Sequence, residues 1–317
     1  MIRYLLIRFA WIIFLFWLIL TILYFSLSFG MWRFWYSTQP FSDLFAMTWA
    51  NYIDYFGGVL RSWNWGITRF TRESVWSVML ERAGISLRIN LVTLVVYVTF
   101  SIVLGFLAAV YKNRLTDRII MVLTLLFSSV PNFLWVWFFI FFFGFRWGIL
   151  PPQPLGVEGT FWGDIYVLII PVTALALYPI GKLTAMFRGE FIAAQRRGYS
   201  VLLRVKGLNT VQMARRHWFK DALVPILSEI PNTFVFVLSS SFIVENFYNV
   251  RGITRLLFQA LFDPVSSAYG LGIDLPLAMA ASAFYIFLSL SLVLVIDIVN
   301  VWLDPRIRLY QKDNVIS

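Results

Sequence analysis

Long apolar runs alternate with short polar breaks along the chain, and the run lengths are those a lipid bilayer demands of a helix. A hydrocarbon layer of ~30 Å takes about 20 helical residues. Six stretches meet that length with few or no charges: Phe9–Trp32, Ile89–Tyr111, Ile119–Phe145, Ile165–Phe187, Ala222–Val244 and Leu275–Leu303. The first follows Arg3 and Arg8, is longer than the apolar part of a signal peptide and lacks a clear cleavage pattern. It reads as a retained anchor helix. Pro131 near the middle of the third predicts a kink. Pro171 and Pro179 interrupt the fourth, whose Lys182 is expected to extend its alkyl stem toward the membrane surface.

The longest basic segment between spans, Gly198–Leu227, has a pattern of its own. Val201, Leu202, Val205 and Leu208 recur at i, i+1, i+4 and i+7, the spacing of one helix face. Tyr199 precedes them and Gly207 is placed to end the helix, while Arg204 and Lys206 lie off the apolar stripe and Arg215, Arg216 and Lys220 follow. A short amphipathic helix outside the spans must bury its face, either in a groove of another protein or among lipid headgroups. The pattern alone leaves both open.

Most of the 26 lysines and arginines fall on the side of the first span that holds the N-terminus, so both termini are expected in the cytoplasm. The division that follows is an anchor helix at 1–32, an extracytoplasmic aromatic-rich loop at 33–88, a five-helix core at 89–303 with a cytoplasmic loop at 188–221, and a cytoplasmic tail at 304–317. Trp35, Tyr36, Trp63, Trp65, Phe70 and Trp76 suit a loop resting at the interface. A second external segment, Glu245–Asp274, carries a short helix pattern over Ile253–Phe262.

Composition narrows the class. A chain of 317 residues that is 60% hydrophobic, 13% charged and +0.77 in mean hydropathy is an all-α integral membrane protein rather than a soluble domain. Its net charge of +10 is explained by basic residues between spans, not by nucleic-acid binding. With no cysteine there is no disulfide or thiolate site, and the single histidine, His217, has no second ligand near it, so no metal site is expected. No nucleotide loop is present, since Leu183 follows Gly181-Lys182 and Ala176 stands where the first glycine belongs. Nothing matches a nucleophile elbow or a paired-carboxylate site, so the chain is not expected to be an enzyme.

Charges inside spans need separate reasons, because each costs about 2.5 to 3.5 kcal/mol at a helix centre. Glu229, Asn232, Ser239 and Ser240 form a polar series down the fifth span. Such residues serve either helix packing or a substrate path. Asp297, with Asp304 and Arg306 beyond it, reads as a helix-end carboxylate meeting a basic partner.

Several segments in order then resemble one family. Tyr199, Arg204, Lys206, Gly207, Leu208, Arg216, His217, Ala222, Leu223 and Pro225 stand where permease subunits of bacterial peptide ABC importers carry their cytoplasmic loop, specifically the first permease of oligopeptide and dipeptide systems. Glu245, Gly252, Ile253, Arg255, Leu256 and Leu257 are similar to that family's segment after the fifth span, and Leu303-Asp304-Pro305-Arg306-Ile307-Arg308 to its ending. The resemblance implies a six-helix type I permease in the bacterial inner membrane. It further implies a second homologous permease, two ABC ATPase subunits that hold the ATP and magnesium, and an extracytoplasmic solute-binding protein. It makes Val201–Leu208 a coupling helix for an ATPase. Nickel chelates or oligosaccharides are alternative cargoes within the class, and a stand-alone proton-coupled carrier or channel is the rival outside it. The chain departs from the family at Val250-Arg251, at the apolar Val201–Leu203, and at Glu229 and Pro231.

Overall fold

The computed structural model describes residues 2–36, 38–69, 72–154, 161–262 and 272–303. Apart from one isolated bridge, Ile67 with Ser74, every regular element among them is helical. In order they are α1 (Ile2–Trp35), α2 (Phe41–Ser62), α3 (Val75–Val110), α4 (Leu115–Ser129), α5 (Asn132–Phe139, continuing as a π-helical turn over Ile140–Arg146), α6 (Phe161–Arg196), α7 (Tyr199–Val205), α8 (Thr210–Met213, followed by a π-helical turn over Ala214–Trp218), α9 (Phe219–Phe247), α10 (Ile253–Phe262) and α11 (Leu275–Leu303). Five stretches are long and apolar enough to cross a membrane, six if α4 and α5 with its π turn count as one broken span.

The described chain divides into two compact units. One is formed by residues 2–88 and 250–291. Here the expected loop at 33–88 is largely helical: α2 occupies Phe41–Ser62, and α3 begins at Val75 rather than Ile89. Hydropathy missed α2 because Asp43, Asp54 and Arg61 interrupt it, yet Leu44, Thr48, Phe56 and Val59 are buried along one side. Its aromatics meet α1, where the Tyr24 ring contacts those of Tyr52, Tyr55 and Phe56 at 5.5–5.7 Å. Likewise Glu81, Arg82 and Arg88 obscured the start of α3, since a helix runs on past the hydrophobic stretch it supplies to a membrane. Asp274, fully buried, accepts from the amides of Arg69 (2.7 Å) and Leu277 (3.3 Å), tying Arg69 to the start of α11. Burial pushes its carboxyl above the usual carboxylate range despite those two donors. The short helix α10 occupies the expected Ile253–Phe262.

The other unit comprises residues 89–249 together with the last turns of α11. Its α6 lies against α4 and α9. Close approach requires glycine at Gly181, where a Cβ would come within 2.4 Å of Ser128 Oγ and 2.6 Å of the Thr124 carbonyl oxygen. The third span is broken: α4 and the helix from Asn132 to Arg146 meet at 102°, with Pro131 at the corner. The expected kink is thus a sharp bend, because Pro131 lacks an amide donor and holds Val130 extended. Pro171 and Pro179, by contrast, sit within an unbroken α6, and Pro225 and Pro231 within α9.

Candidate functional site

The loop at 188–221 is a folded platform. Its base is a cluster of Phe187, Phe191, Ala194, Met213, Ala214, Trp218, Ala222 and Ile226, all buried, against which Tyr199, Leu203 and Leu208 pack. Trp218 Nε1 donates to Ser200 Oγ (3.0 Å), which donates to the Ala194 carbonyl (3.1 Å). Asp221 Oδ2 accepts from both Tyr199 Oη (2.6 Å) and Arg197 (2.7 Å). Burial, then this bond to the carboxylate, pushes the Tyr199 hydroxyl up to about 12.

Gly207 ends α7 as its position predicts. At φ +79° it takes a left-handed conformation, its amide reaching the Arg204 carbonyl (2.9 Å) while the Leu208 amide reaches that of Leu203 (3.2 Å). These are the paired bonds of a Schellman motif, accompanied by the inward packing of Leu203 and Leu208. The apolar face therefore differs from the one the spacing predicts. Leu208 lies beyond the helix and turns inward with Leu203, leaving Val201, Leu202 and Val205 exposed, the last at 81%. Arg204, Lys206, Gly207 and Arg216 are exposed beside them.

Besides Arg197–Asp221, two further ion pairs in this unit were not foreseen. Arg188 holds Asp117 in a bidentate pair, Nε–Oδ1 2.6 Å and NH2–Oδ2 2.7 Å, and the Asn113 amide adds a bond to Oδ2 at 2.8 Å. This joins the first turn of α4 to the end of α6. Lys182 pairs with Glu229 at 2.6 Å between α6 and α9, and Asn232 donates to the other Glu229 oxygen at 3.3 Å. The structure thus brings Glu229 and Asn232 together with Lys182. Ser239, farther along the same exposed side of α9, bonds only its own helix at the Val235 carbonyl, and Ser240 is half-buried next to it. Asp297 is half-buried on α11, while Asp304 and Arg306 lie outside the described residues. Asp117 and Arg188 lie 71 positions apart on separate helices, and no spacing in the sequence marks them as a pair.

Among the described residues no three acidic or histidine side chains converge to hold a metal. What the geometry offers is a packed platform with an unburied apolar knob, and a charged pair set between two long apolar helices.

A family model for binding-protein-dependent transport system inner membrane components matches residues 101–309. The chain belongs to that family. The match takes in the platform, the broken span and the Lys182–Glu229 pair. This inner membrane component is similar to the dipeptide transport system permease protein DppB of Lactococcus lactis subsp. cremoris, 27% identical over 206 residues that make up 65% of each chain. It is also similar to the DppB of Bacillus subtilis (24% over 235 residues, 74% of this chain and 71% of the relative). The di/tripeptide permease of Pseudomonas aeruginosa is 25% identical over 231 residues, 66% of this chain and 68% of that one. The chain thus spans slightly under two thirds of the Lactococcus relative. The described residues are helical, with five stretches long and apolar enough to cross a membrane or six if the broken one is a single span, as befits a multi-pass membrane member of that family.

Proposed function

We propose that the chain is one permease subunit of an ATP-driven importer of peptides and supplies half of the passage. On this reading it is not itself catalytic. Two separate ABC ATPases bind ATP and magnesium, a second homologous permease completes the passage, and an extracytoplasmic solute-binding protein delivers cargo. The membrane is the bacterial inner membrane, with both termini cytoplasmic. Glu229, Asn232, Ser239 and Ser240 line the passage.

One observation carries the reading: α7 exposes Val201, Leu202 and Val205 while its opposite side is fastened by Leu203, Leu208 and the Tyr199–Asp221 bond. A knob held that firmly transmits displacement to α6 and α9 when a partner pulls on it, which is what coupling to ATP-driven closure requires. Peptide as cargo is supported by the three relatives, whose names all specify di- or tripeptide transport.

Leu202→Asp and Val205→Asp test it, since each places an unpaired charge in a desolvated contact. Both variants should reach the membrane in normal amounts yet fail to copurify with the ATPase subunits. Normal copurification and uptake would remove the coupling assignment.

A further inference from the structure

Lys182 and Glu229 sit on stretches apolar enough to span the membrane, Ile165–Arg196 and Thr210–Phe247, yet their side chains keep 42% and 22% of their surface. Charge left accessible on a span does not face hydrocarbon, because nothing there replaces its water. That side of α6 and α9 therefore meets water or polar cargo. The same side continues in a polar and aromatic track. Asn232 and Ser239 are exposed on α9, and Tyr178 of α6 lies against Phe236 of α9, ring centroids 4.2 Å apart. An accessible ion pair is weakly held, since water screens both partners. A mobile zwitterion is thus able to exchange with it, offering an ammonium to Glu229 and a carboxylate to Lys182.

We propose that Lys182 and Glu229 are a specificity-determining pair that receives cargo carrying both a free amino and a free carboxyl terminus. The inference rests on the reading of this chain as half of a peptide passage. Glu229 takes the cargo ammonium, steadied by the Asn232 amide that already bonds its second oxygen. Lys182 takes the carboxylate. The Tyr178–Phe236 ring pair, one turn along α6 from Lys182, presents an apolar surface that accepts varied side chains without selecting among them.

The test uses cells making the full transport system, supplied with alanyl-alanine free, N-acetylated, C-amidated or capped at both ends. Uptake is compared as ratios within each strain, so selection by the binding protein, common to all strains, cancels between strains. Lys182→Gln should reduce the preference for a free carboxyl terminus at least tenfold while keeping the preference for a free amine, and Glu229→Gln should do the reverse. Should either single variant fail to accumulate, the apolar pair Lys182→Met/Glu229→Leu replaces them and should lose both preferences. Ratios that stay at wild-type values in the variants overturn the inference and leave the peptide reading standing. Failure of the wild-type system to take up any of the four peptides overturns the peptide reading and this inference with it.

Discussion

The Asp117–Arg188 pair gives the sharpest quantitative test of how the unit built on α4, α6 and α9 is held together. The Asp117 side chain is 5% exposed and that of Arg188 23%, and two bonds of 2.6 and 2.7 Å fix the fork of the guanidinium on the carboxylate. Asp117→Asn keeps the shape and an acceptor for the Asn113 amide but removes the charge, leaving a largely enclosed guanidinium without its counterion. Breaking a buried pair in this way costs about 3 to 5 kcal/mol. Because nearly a quarter of Arg188 still meets solvent, the low end applies, about 3 kcal/mol. At about 2 to 4 °C per kcal/mol for a chain of this size, the melting midpoint should fall by about 6 to 12 °C. Tryptophan fluorescence during heating of the purified protein in nanodiscs reads that shift. Replacing both residues, Asp117→Leu with Arg188→Met, removes the stranded charge and should recover at least half of the loss. The decisive quantity is the coupling from the cycle of Asp117→Leu and Arg188→Met, each made alone and then together. A coupling below about 0.5 kcal/mol, with the single losses simply adding, would show that the pair is a bystander and that α4 and α6 are joined by packing alone.

Two further outcomes are expected. Gly181→Leu should destabilise the unit by at least about 1 to 3 kcal/mol, the usual cost of overpacking, because its Cβ meets the Thr124 carbonyl, a backbone atom that cannot swing away; the same thermal assay checks it, with Gly189→Leu, at a position with nothing within 4 Å, as the silent control. The Tyr199 hydroxyl, raised to about 12, binds its proton more tightly in the folded loop than in an unfolded one. Its stabilising effect is therefore full below pH 10 and lost as pH rises through 12. Ultraviolet difference titration should show a high-pH tyrosinate step that drops toward 10 in Asp221→Ala.

Spans were legible because a bilayer imposes a length on any apolar helix, and five of the six runs coincide with single long helices. Helices that the membrane does not select were not. Nothing in hydropathy marks α2, where Asp43, Asp54 and Arg61 dilute a buried side that only the aromatic contacts with α1 reveal. Periodicity placed α7 correctly but gave Leu208 to the wrong side, since beyond Gly207 the helical angle no longer applies and the left-handed turn sends Leu208 back toward Leu203. Glu229 was visible as a charge inside a span that needs a reason, yet Lys182 lies 47 positions away on another helix, and only α6 packed on α9 joins them. Asp117 passed unnoticed in the opening turn of α4, where an acidic residue has a sufficient local reason in the helix dipole.

The corner between α4 and α5 has a further consequence. A helix pair that turns through 102° interrupts its backbone hydrogen-bond ladder, and Asn132, enclosed at the turn, has neither side-chain polar atom satisfied among the described residues. Hydrocarbon offers such groups nothing. The corner is therefore the point at which this helix pair is held least by its own hydrogen bonds and most by the side chains that enclose it.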